Sequence, residues 1–236
     1  MMIYTDFLLE TRMNIMKTLL LSFCLLLLLP FFSLAQQEDA KNSNPIEKLD
    51  STKYKIGNVI LDSKERTITV NGKINMQQGT VELIACAPGG KMHESILTID
   101  VVPYHLQVSL LLLGLKYVGG VEYQGDAKQP QGDSVYITIT WQLHGKDTTV
   151  AIEDLVWNIE QNRQMERTSW VFVGSKTVEG TFMADQEKSL ITTYHDPFTI
   201  FDNPLKGGSN DELYKVNEHL VPSKGTPVQI VIKPVP

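Results

Sequence analysis

Polar and apolar residues alternate along much of the chain, and a period of two predicts strands. Residues 66–70 alternate in this way, and Asn71-Gly72 supplies a two-residue hairpin turn into residues 73–76. In the next strand Val81, Leu83 and Ala85 share one face, with Glu82, Ile84 and Cys86 on the other. The clearest run is 135–143, where Val135, Ile137, Ile139, Trp141 and Leu143 alternate with polar neighbours. Gly145-Lys146-Asp147 then predicts a turn into a partner strand at 148–152, and further strands are expected at 170–173, 179–183, 190–194 and 228–232. One segment differs. Residues 103–115 open on Pro103, close at Gly114-Leu115 and carry leucines round nearly the whole circumference. That pattern predicts a buried helix, so the expected fold is α+β: a mainly antiparallel sheet with one central buried helix at about 103–115.

The N-terminal pattern is of another kind. Lys17 precedes an uncharged apolar run from Leu19 to Phe32, and Ser33-Leu34-Ala35 follows with small residues at its first and third places. This is the pattern of a secretory signal, so residues 1–35 are expected to be a signal peptide cut after Ala35. Asp6 and Glu10 are acidic for such a segment, which points to translation starting at Met13 or Met16. The alternative is an uncleaved anchor, but the apolar run is shorter than the roughly 20 residues of a spanning helix. Residues 36–53 are polar, with Ile46 and Leu49 their large apolar residues, and read as a flexible linker. A single α+β domain is expected over 54–236.

Composition narrows the function classes. The chain carries 21 Lys+Arg and 27 Asp+Glu, and removing 1–35 leaves 19 and 25, so the charge of −6 is unchanged. Without a basic patch, nucleic acid is not an expected partner. Of two cysteines only Cys86 lies beyond the export segment, so no internal disulfide is expected in an oxidising compartment.

Residues 81–116 run from a strand ending at Cys86, through a Gly/Lys turn and His93-Glu94-Ser95-Ile96-Leu97, to a helix with His105 ahead of its leucines. With Trp170 to Ser175, Ala184-Asp185, the segment from Asp196-Pro197 to Asp202-Asn203-Pro204 and the stretch Val221 to Pro227, this order resembles the YdjY-like domain family of exported bacterial proteins. The similarity covers roughly residues 68–234. The resemblance implies a secreted or periplasmic domain and carries over no biochemical role. The resemblance implies a helix that often carries a second histidine two residues after the first; here that position is Gln107.

Candidate chemistry centres on Cys86, His93, Glu94 and His105. Thiolate, imidazole and carboxylate are zinc-binding groups, and Cys86, His93 and His105 are the candidate ligands of a divalent metal, although their spacing matches no standard motif. Cys86 could instead be a nucleophile activated by His93 or His105, with Glu94 orienting the imidazole and Ala87, Gly89 and Gly90 offering N–H groups to an oxyanion. The third reading makes Cys86 a buried small hydrophobe. His195-Asp196 could pair, but Asp-Pro more often begins a turn. His144 and His219 are expected in solvent, and Trp141 and Trp170 in the core. The sequence therefore supports an exported, periplasmic or extracellular accessory or binding domain, whose partner is an envelope protein or a small ligand. The alternative is a metal- or thiol-dependent hydrolase at Cys86, His93, Glu94 and His105.

Overall fold

The computed structural model describes residues 46–236, so the expected signal peptide lies outside the described residues. The first strands are β1 (Ile46–Lys48), β2 (Lys53–Ile56), β3 (Val59–Asp62), β4 (Thr67–Ile74), β5 (Leu83–Cys86) and β6 (Ser95–Ile99). After the helix Pro103–Leu112 come β7 (Tyr117–Gly119), β8 (Gln131–Gly132), β9 (Ser134–Leu143), β10 (Lys146–Ala151), β11 (Val156–Asn158), β12 (Arg163–Gln164) and β13 (Trp170–Phe172). The hairpin of β14 (Thr177–Val178) and β15 (Thr181–Phe182) leads into a short helix, Met183–Glu187. The order ends with β16 (Ser189–Thr192), β17 (Phe201–Asp202), β18 (Tyr214–Val216) and β19 (Pro227–Pro234).

Eight of these strands close into a barrel in the order β4-β19-β9-β13-β17-β16-β5-β6, with β6 returning to β4. Pairing is antiparallel except at β5–β6 and β16–β17. Ile68, Val70 and Ile74 of β4, Ile137 and Ile139 of β9, and Ile230 and Ile232 of β19 are all buried, as period-two alternation requires when one face turns inward. β5 and β6 are buried at every position, which explains their continuous apolar character. Trp170, Phe172 and Phe201 are the largest fully enclosed side chains, and Trp141 is also buried.

The structure corrects the expected fold class. It is mostly β, 41% strand and 14% helix, rather than α+β with a central helix. Pro103–Leu112 buries Leu106 and Leu110 and packs on β2, β3 and the short helix, while Leu111 and Leu112 are 43% and 57% exposed. Leucines all round the helix therefore do not mean burial all round. Its first turn is capped from a distance, the Tyr104 N–H donating to Asp185 Oδ1 at 2.9 Å, and Gly114 ends it at a φ of +88°.

The Asn71-Gly72 hairpin is also corrected, since both residues lie inside β4. One edge of β4 serves two strands: Thr67 to Thr69 pair with β3, and Gly72 to Ile74 pair with β6. Where β6 crosses, a Cβ on residue 72 would lie 2.5 Å from the Thr98 carbonyl oxygen. Glycine is required there by close approach rather than by a turn. The expected hairpin after β9 is present, with its turn at His144-Gly145, both in the left-handed region. The stretch 36–53, expected as a linker, enters β1 at Ile46, and Asp50 Oδ1 accepts the N–H groups of Thr52 and Lys53.

Gly72→Ala is expected to destabilise the fold by about 2 kcal/mol, because the added methyl meets backbone that cannot withdraw without opening the seam. Denaturant unfolding checks this, and a change under about 0.5 kcal/mol would refute the account of the seam.

Candidate functional site

The four residues singled out in the sequence do not form one constellation. Cys86 ends β5 with no exposure, and burial pushes its thiol up, away from the thiolate that attack or metal binding needs. The turn after it spends donors internally: Ala87 N–H donates to the Lys188 carbonyl and Gly90 N–H to that of Ala87. His93 lies on the opposite side of the burial scale, its side chain 79% exposed and 3.6 Å from Glu94 Oε2. His105 sits at the helix start against Gly57 in the β2–β3 turn, with a buried Nδ1 that has no partner among the described residues. Among the described residues no three His, Cys, Asp or Glu side chains are placed to hold a metal ion. Cys86, His93 and His105 are not brought together as a metal-holding group: the thiol is buried, the His93 imidazole faces solvent, and His105 packs on the β2–β3 turn. Gln107 has a structural task, its Oε1 accepting the Ser175 N–H at 3.0 Å.

Glu94 belongs to a different group. Lys91 Nζ lies 3.3 Å from Glu94 Oε1 and 3.5 Å from Glu82 Oε2, and Gln124 Nε2 donates to the same Glu82 oxygen at 2.9 Å. Burial and the neighbouring Glu94 charge push the Glu82 carboxyl up, while the two carboxylates outweigh burial and push the Lys91 ammonium up as well. This ion pair ties the loop carrying Gln124 to the start of β5.

Beneath it lies a buried polar centre that follows β16. His195 is 1% exposed, with Nδ1 2.7 Å from the Asp126 carbonyl oxygen and Nε2 2.9 Å from that of Asn203. Its backbone N–H donates to the Gly208 carbonyl at 2.7 Å, and Gly125 N–H donates to its own carbonyl. Asp202 is fully buried: Oδ1 accepts from Thr192 Oγ1 and the Asn203 N–H, and Oδ2 has no partner among the described residues. Burial pushes the Asp202 carboxyl up to about 7, with the His195 charge acting in the opposite sense. Asp196 is occupied elsewhere, Oδ1 accepting the Phe198 N–H and Oδ2 the Ser189 hydroxyl. Asp196-Pro197 does begin a turn, as its sequence favours, and the fully buried carboxylate that interacts electrostatically with His195 is Asp202, six residues further on. The signal in the sequence was the second acidic segment before a proline, Asp202-Asn203-Pro204.

Segment 203–210 roofs this centre, and its 3₁₀ turn Lys206–Ser209 needs glycine twice. A Cβ on Gly208 would strike the His195 ring at 2.0 Å, and one on Gly207 would strike Leu213 at 2.2 Å and the Tyr214 hydroxyl at 2.8 Å. The far side of the same segment forms one wall of a cleft of about 460 Å³. Asn158, Glu160 and Glu166 line the facing wall, with Lys206, Asn210 and Tyr214 on the near side. Asn158 is largely buried and its Oδ1 accepts the Gln161 N–H, while Asn210 Nδ2 reaches Glu160 Oε1 at 3.3 Å. Burial pushes the Tyr214 hydroxyl up, so it is a neutral donor at the cleft's inner end. No motif marked these residues in the sequence, because they gather from two segments, 158–166 and 205–214.

The family model for the YdjY domain matches residues 59–233 of the chain. No curated protein and no solved structure matches it.

Two outcomes follow from this geometry. A thiol-reactive probe is expected to label Cys86 only after unfolding, and labelling of the native protein would refute its enclosure. For Asp202 the folded-state value of about 7 lies above the ordinary 3.8, so the native state binds the extra proton between those values. Its contribution to stability is therefore present at low pH and lost as pH rises through 7. Comparing wild type with Asp202→Asn by denaturant unfolding across that range should show wild type losing ground as pH rises; a constant difference would count against it.

Proposed function

Since the chain belongs to the YdjY domain family, we propose that it is an exported accessory domain of the cell envelope that binds a small polar ligand. The observation that carries the binding half is the cleft between residues 158–166 and 205–214. Carboxylates, an ammonium, carboxamides and a phenol converge there, and Leu205 and Leu213 supply apolar wall. Glu166 and Lys206 have no ion-pair partner among the described residues, so each is free to meet a ligand group of opposite charge. The chemistry fits recognition. Among the described residues the enclosed Cys86 does not line the cleft. Support for export is Lys17, the apolar run to Phe32 and the Ser33-Leu34-Ala35 exit.

Titrating ¹⁵N-labelled protein with amines, amino acids and saccharides tests the binding reading. Amide shifts are expected to concentrate at 158–166 and 205–214, and Glu166→Gln should weaken a cationic ligand about tenfold. Shifts confined to other surfaces, or none with any of these classes, would overturn it. For export, the N-terminal sequence of protein recovered outside the cytoplasm is expected to begin at Gln36. Recovery of the chain solely from the cytoplasm would refute it.

A further inference from the structure

We propose that the ligand of the cleft is a zwitterion of the amino-acid kind, an α-amino acid or a short peptide, with its ammonium at Glu166 and its carboxylate at Lys206. This rests on the binding reading above and names the class of ligand.

The fold leaves two opposite charges unpaired in one cavity. Residues 158–166 bring Glu160 and Glu166 to one wall, and segment 205–214 brings Lys206 to the other. Glu160 is partly engaged, its Oε1 accepting from Asn210 Nδ2 at 3.3 Å. Glu166 and Lys206 line the same space of about 460 Å³, yet they pair neither with each other nor with another described residue. Opposite charges held apart across a cleft favour a ligand that carries both signs in the complementary order. A simple amine meets Glu166 and leaves Lys206 without a counter-charge. A simple carboxylate meets Lys206 and faces two carboxylates.

A third group defines what lies beside the ammonium. Asn158 is 8% exposed, and its Oδ1 is committed to the Gln161 N–H. Its Nδ2 remains a donor with no partner among the described residues. A largely buried donor left unpaired is costly, so this wall calls for an acceptor oxygen. In an amino acid that oxygen belongs to the carboxylate and in a peptide to the first carbonyl. In both it sits on the carbon next to the one bearing the ammonium. A saccharide offers oxygen but no charge for Glu166 or Lys206.

Electrostatics give the direction of entry. Burial first, and then the Glu166 and Glu160 charges, push the Tyr214 hydroxyl up, so the negative field of that wall reaches the cleft's inner end. Lys206 is exposed and stands at the mouth. The ammonium therefore goes in first and the carboxylate stays at the rim, with Leu205 and Leu213 as apolar wall for an aliphatic side chain.

The test titrates the ¹⁵N-labelled full-length protein, near neutral pH, with alanine, alanyl-alanine, ethylamine and propionate, following amides at 158–166 and 205–214. Ethylamine is alanine without its carboxylate, and propionate is alanine without its ammonium. One of the two zwitterions should bind about tenfold tighter than either half, and whichever binds tighter tells amino acid from peptide. Glu166→Gln should weaken that zwitterion and ethylamine about tenfold while sparing propionate. Lys206→Met should weaken the zwitterion about threefold without weakening ethylamine. Both side chains are exposed, so amides outside the cleft should keep their positions in the two variants. A half-ligand that matches both zwitterions, or a Lys206→Met change that weakens ethylamine as much as the zwitterion, overturns the inference. If cleft amides still shift in that case, the binding reading stands without it; if no probe shifts them, both fall.

Discussion

The seam between β4 and β6 is the constraint from which the architecture follows. A sheet closes only if its first and last strands meet in register, and here they meet over three residue pairs, Gly72–Ile99, Lys73–Thr98 and Ile74–Leu97. At the first of these, β4 has no room for a side-chain atom. The same edge of β4 has already served β3 as far as Thr69, three residues before Gly72, so the strand divides its hydrogen-bonding edge between barrel and outwork. β9 repeats the device, pairing with β13 at Ser134 and Val135 and with β10 from Thr138 onward. β3 and β10 thus lie outside the barrel, each on an edge that a barrel strand shares with it.

Closure also decides where polar groups can be afforded. β16 and β17 run parallel through a single register pair, Ile191 with Phe201, so neither can satisfy its ends by strand pairing alone. Side chains take over: Thr192 bonds the Phe201 carbonyl, Asn203 Nδ2 bonds that of Thr193, and Thr193 Oγ1 reaches Val81. His195 and Asp202 sit in the middle of this substitution of side-chain for backbone bonding. A buried network of this sort fixes loop positions tightly, since each unmade bond would leave a desolvated polar atom. The cleft inherits its shape from that rigidity.

Sequence patterning revealed the strands well and their assembly poorly. The alternation in β9 and β19 was legible because one face of each is buried and the other wet. Asn71-Gly72 misled because the same dipeptide serves a tight turn and a strand that another backbone must approach, and local spacing cannot tell the two apart. The helix misled because Leu111 and Leu112 are apolar but exposed, so composition round its circumference overstated its burial. The family resemblance was legible from ordered short pieces, and the match over residues 59–233 agrees with it. The site was the least legible part. Cys86, His93 and His105 lie close in sequence, but strand, turn and helix direct them to core, solvent and a remote turn. The groups that do gather around the cleft come from segments some fifty residues apart, a distance at which sequence spacing carries no geometry.

The final strand lies between β4 and β9 and pairs with each over six residues. It joins β4, the first long strand of the described residues, to β9 and its hairpin with β10. The hairpins β2–β3 and β9–β10 rest on local pairing, but the barrel cannot close until residues 227–234 enter between β4 and β9. Closure of the barrel therefore waits on pairing between positions roughly 150 residues apart, a non-local contact of the kind that slows folding.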